Sequence, residues 1–143
     1  MTTDDAVTPL PLHRLACGIA LAAYAASIAF QIYRATRGTG LAVDDFGVNA
    51  VVVYGAGVAL ALTLLGDRRW SWWVNGALSA VVVAQAPFAY YPSVAGARPL
   101  ETWDWLEGIW FTALLVLVVA CAVVRLSGVR LVRARPGALT PLR

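Results

Sequence analysis

Charged and uncharged positions along this chain separate into long blocks rather than short periods. Four stretches carry no Asp, Glu, Lys or Arg, at 15–33, 46–66, 70–97 and 108–124, and they hold 19, 21, 28 and 17 residues. A hydrocarbon layer of about 30 Å takes roughly 20 apolar helical residues rising about 1.5 Å each. The pattern therefore predicts four transmembrane helices, at about 14–34, 45–66, 70–91 and 104–127. A soluble bundle would show a polar stripe at a period of about 3.6 residues. Residues 50–65 are instead apolar all round apart from Tyr54 and Thr63. The runs Val51-Val52-Val53 and Val81-Val82-Val83 would favour strands in water. Each stretch, however, is about twice as long as a tilted membrane strand and lacks its in/out alternation. The predicted fold is an all-α integral membrane protein, a four-transmembrane-helix bundle. It forms one domain, 14–128, between a polar segment, 1–13, and a basic tail, 129–143.

Within the helices, small residues at a spacing of four mark faces where backbones can approach in lipid. Gly18, Ala22 and Ala26 lead to Phe30 and Tyr33, and Gly76, Ala80 and Ala84 lead to Phe88 and Tyr91, at a constant offset of 58. Asp45-Phe46 and Asp104-Trp105 open the second and fourth helices at an offset of 59. Two tandem parallel hairpins are one reading, coincidence in an alanine-rich chain the other. A true repeat predicts that the first and third helices meet at the centre. Pro87 removes the hydrogen bond to Val83 and should loosen the third helix near its end, with 92–97 as a loop.

Orientation follows from arginine, which retards translocation of the loop that carries it. With both termini cytoplasmic, Arg14, Arg68, Arg69, Arg125, Arg130, Arg133, Arg135 and Arg143 lie inside, and Arg34, Arg37 and Arg98 outside. Eight against three favours that topology and a plasma-membrane location. Trp70, Trp72 and Trp73 would anchor the inner interface, and Tyr33, Tyr90, Tyr91, Trp103 and Trp105 the outer one. Residues 1–13 carry Asp4 and Asp5 rather than the basic start of a cleavable signal, so the first helix is expected to stay in place.

Composition agrees with the pattern: 60% of residues are hydrophobic and 13% charged, against roughly 25% charged in soluble domains. All eleven basic residues are arginine, which fits a high-GC, bacterial coding bias.

Candidate chemistry is sparse. The four stretches contain no ionisable carboxylate or histidine, which argues against proton-coupled transport. The membrane-embedded glutamate that small four-helix multidrug transporters carry in their first helix is missing from 15–33. Cys17 and Cys121 are too few and too apolar in setting for thiol exchange and read as packing residues. His13 alone does not make a metal or haem site, so no cofactor is expected.

Polar residues do gather toward the proposed outer face. Gln31, Asn49 and Gln85 within the helices, with Asp44, Asp45, Asp104 and Glu107 at the mouth, form the candidate ligand site. The plainer account is preferred: interhelical hydrogen bonds for the amides, and helix N-termini for Asp44, Asp45 and Asp104. At the other face Arg125, Arg130, Arg133 and Arg135 would contact anionic lipid headgroups, with no nucleic acid involved. The expected function is non-enzymatic, an accessory or scaffold subunit, or a bundle binding lipid or a small ligand. A homo-oligomer or larger membrane complex is the expected setting. The alternative is a channel or transporter subunit whose outward polar pocket forms on oligomerisation.

Overall fold

The computed structural model describes residues 11–37 and 46–128. Helices α1 (Leu12–Thr36), α2 (Val48–Thr63), α3 (Arg69–Gln85), α4 (Tyr91–Ala97) and α5 (Thr102–Leu126) contain most of them, with no strand among the described residues. A short 3-10 turn, Leu64–Gly66, prolongs α2. A π-turn, Ala86–Tyr90, joins α3 to α4, so the two form one interrupted rod and the count of four rods stands.

Three helices, Leu12–Thr36, Val48–Gly66 and Thr102–Leu126, are long and apolar enough to cross a membrane by length and composition. At most 33% of each spanning window is buried inside the bundle. The remainder is an apolar exterior that includes Val51, Val52, Val53, Ile109, Trp110 and Val123. Such continuous apolar surface suits acyl chains rather than water.

The interruption of the third rod has a local cause. Pro87 and Pro92 have no N–H, so the carbonyls four residues before them lose their helical donors. The backbone answers by widening one turn, with the Tyr91 N–H bonding the Ala86 carbonyl five residues back. The expected loosening at Pro87 is thus present. The expected loop at 92–97 is instead helical, because Pro92 sits in the first turn of α4, where a missing N–H is tolerated.

α5 packs along both α1 and α3, whereas α1 and α3 share no seam among the described residues. This overturns the arrangement expected from the repeat. Gly76 lies against Ala122 of α5, so that an added Cβ would stand 2.9 Å from the alanine methyl, while its proposed counterpart Gly18 has nothing within 4 Å. Gly57 of α2 makes another close approach, beneath the ring of Tyr24 on α1.

One end of the bundle is tied by Asp67, which takes the left-handed backbone conformation (φ 47°) after the 3-10 turn. Its Oδ1 accepts from Trp72 Nε1 at 2.8 Å and Arg125 Nε at 3.0 Å, and its Oδ2 from Arg125 NH2 at 2.9 Å. Trp72, expected at the interface, is therefore a core residue, packed with Ala16, Cys17, Leu64 and Ala122. Trp70 and Trp73 are exposed. Cys17 and Cys121 are free thiols in and against this same cluster. Asn75, an unforeseen buried amide, links α3 to α2 by donating to the Leu60 carbonyl at 3.0 Å.

Candidate functional site

At the opposite end, helices reach beyond the charge-free stretches and bring their flanking charges inward. α5 begins at Thr102 with a capping box: Glu101 caps the helix, and the Asp104 carboxylate accepts the Glu101 N–H at 2.8 Å. Arg98 grips the same carboxylate with two bonds, of 2.7 and 2.9 Å. Arg34 of α1 lies 4.0 Å from it, with side-chain exposures of only 3% and 1% for the pair. Arg34 also donates to the Tyr90 hydroxyl at 2.9 Å, joining α1 to the π-turn. Nearer the surface, Arg37 pairs with Glu101. Asp104 is thus engaged in holding the α4–α5 connection and α1 together, and is not open to a ligand.

One turn further along α5, Glu107 is treated differently. Its Oε1 accepts from Ser27 Oγ of α1 at 2.7 Å, and Ser27 is itself 2.8 Å from the Tyr54 hydroxyl of α2. Since the serine proton goes to the carboxylate, Tyr54 donates to Ser27, making a chain Tyr54 to Ser27 to Glu107. Glu107 forms no ion pair among the described residues. The four stretches do lack ionisable carboxylates and histidine, but that absence excludes less than expected, because Arg34, Asp104 and Glu107 lie on the helices and turn into the bundle. They stand at the edges of the uncharged stretches, and the helices extend past those edges.

Glu107 borders a cavity of about 470 Å³ to which α1, α2, α3, the π-turn, α4 and α5 all contribute. Gln31 and Gln85 line it with Ser27, Tyr54 and Glu107. Its walls are otherwise mainly apolar, from Val82, Val83, Ala86, Phe111 and Leu115. Gly108 is needed in that wall, because an added Cβ would fall 1.6 Å from the Tyr91 hydroxyl. The π-turn also matters to it. One extra residue in a helix turns everything beyond by about 100°, which sets Tyr90 toward Arg34 and Tyr91 against Trp105, where the rings stack at 5.1 Å. A second cavity, of about 320 Å³, lies on the other side of the α1–α5 seam and shares Ser27, Glu107 and Phe111 with the first.

Of the seven residues proposed from sequence, Gln31, Gln85 and Glu107 converge on one space. Asn49 is exposed and does not line it, and Asp104 is buried in its ion pairs. Asp44 and Asp45 lie outside the described residues, as do Arg130, Arg133 and Arg135. Arg125 is paired with Asp67 while remaining half exposed. Sequence reasoning missed Ser27 and Tyr54, ordinary residues in apolar stretches, read Tyr90 as an interfacial anchor and treated Arg34 only as an outer-side charge. The available signal was spacing: Gln31 and Arg34 fall one and two turns after Ser27 on a single helical face.

Fold and site together define an all-helical protein with three membrane-length apolar helices and a half-open cavity bordered by the Glu107 carboxylate. No family model, curated protein or solved structure matches the chain.

Proposed function

We propose that this chain is a multi-pass plasma-membrane protein, with both termini cytoplasmic, whose bundle binds a lipid or small ligand and catalyses no reaction. The cavity of about 470 Å³ carries this reading. Pockets for small ligands span roughly 300–1,000 Å³ and combine apolar walls with a few placed polar groups. A carboxylate held within a membrane helix is costly and marks function by default. A pure scaffold needs packed faces and has no use for such a space. The arginine distribution puts the Glu107 end outward and the Asp67 end, with Arg130, Arg133 and Arg135, at the anionic inner leaflet. Accessory membership of an oligomer or larger membrane complex is compatible with the extensive apolar exterior.

The test is purification of the full chain in native lipid particles, followed by mass spectrometry of retained small molecules. A molecule retained by the wild type and lost from Ala86→Trp, which fills the cavity, is the expected result. Recovery of a folded, ligand-free wild type would sink the proposal. A second reading, as a channel or transporter subunit, draws on the two cavities meeting at Ser27 and Glu107. It predicts solute flux in proteoliposomes that Glu107→Gln reduces.

A further inference from the structure

Resting on the ligand-binding reading, we infer that the ligand is a cationic amphiphile, with an ammonium head at Glu107 and an apolar body against Val82, Ala86 and Leu115. Ser27 fixes Oε1 of Glu107. No buried side-chain oxygen among the described residues lacks a partner, so Oε2, which makes no hydrogen bond, is accessible, on a residue that lines both cavities. The neighbouring Asp104 is filled by Arg98 and a backbone N–H, leaving Glu107 as the carboxylate with a face to offer. A charge desolvated in this way gains most from a counter-charge. Tyr90, Tyr91 and Phe111 add aromatic surface beside it, which favours cations further.

A bare metal ion is a poor fit, since no group of three His, Cys, Asp or Glu converges among the described residues. The apolar walls instead select a hydrocarbon body. Glu107 is approached from the exterior on both sides of the seam: Leu106 and Trp110, which line the second cavity, are 52% and 59% exposed. The first cavity also opens outward, past the exposed Gln85 and Ala89, so an amphiphile in the bilayer reaches Glu107 with its body against Val82 and Ala86 without leaving lipid. The shared chemistry is an alkylammonium, whether an aminolipid or a soluble amine.

The test uses the full chain in phosphatidylcholine nanodiscs, with empty discs subtracted, and radiolabelled dodecylamine, dodecanol and butylamine. Dodecylamine should bind saturably and more tightly than dodecanol. Glu107→Gln should weaken dodecylamine by about ten- to hundredfold, as expected for losing a hydrogen bond to a charged group, and leave dodecanol nearly unchanged. Glu107→Asp, which keeps the charge, should retain the preference for the amine, and this guards against a folding defect in the glutamine variant. Butylamine competing as well as dodecylamine overturns the hydrocarbon body, and its failure to compete supports the amphiphile. Equal binding of amine and alcohol, unaffected by Glu107→Gln but abolished by Ala86→Trp, overturns the cation and leaves the ligand-binding cavity. Saturable binding of neither probe, with no ligand retained on native purification, overturns both.

Discussion

Gly108 and Asp67 show how single positions carry this molecule. Replacing Gly108 by Ala puts a methyl 1.6 Å from the Tyr91 hydroxyl, and the stack on Trp105 keeps that ring from yielding freely. The expected cost is about 1–3 kcal/mol, as for other overpacked sites, read as a lower thermal midpoint in detergent. Gly18→Ala, with open space around it, should leave the midpoint unchanged or slightly raised. Asp67 contributes to the acid limb. The hydrogen bond from Arg125 is the main influence holding its carboxyl below the ordinary range, with Trp72 assisting and burial opposing. Its folded pKa is therefore below the unfolded value of about 3.9, so its stabilisation is complete above that pH and disappears as pH falls through the folded pKa. Both partners are more than a third exposed, at 47% and 38%, and screening keeps the effect small. Melting curves from about pH 6 to pH 3 should show a decline in the wild type that Asp67→Asn flattens. Glu107 could be named from sequence as a mouth residue. That it is open and Asp104 is filled could not, since both are acids one turn apart and only Arg98 and Ser27 distinguish them.

Among the elements, the π-turn separates what periodicity can and cannot reveal. Charge gaps located the helices because a bilayer penalises charge wherever it falls. The helices run past the gaps themselves, since Arg34, Asp104 and Glu107 are admitted once they find partners across the bundle. Pro87 announced a loosened turn, yet the continuation through Pro92 depends on a register shift that no single residue encodes. Substituting both prolines by alanine restores the donors for a regular helix. Circular dichroism should show unchanged or slightly increased helix content. The Tyr90 hydroxyl would turn away from Arg34, and dodecylamine binding should weaken by about tenfold, the scale of a lost charge-assisted bond.

For the whole molecule, the number of helices was legible and their neighbours were not. In water, a polar exterior betrays which face of a helix is inside. Here the exterior is as apolar as the core, with Val52, Ile109 and Val123 exposed and Leu115 and Val118 buried on the same kind of surface. Matching small residues therefore pointed to α1 against α3, while the contacts place α5 between them. That central position bears on how the protein is made. On the proposed membrane reading, α1, α2 and α3 leave the ribosome before α5 exists, so α1 and α3, which meet through α5, await most of their packing. A chain stopped after residue 100 should reach the membrane, fail to mature and be degraded several times faster in a pulse-chase, as expected for a population kept unfolded. Co-expression of 101–128 as a separate segment should restore its lifetime. On that expectation, quality control would have to wait for the last helix.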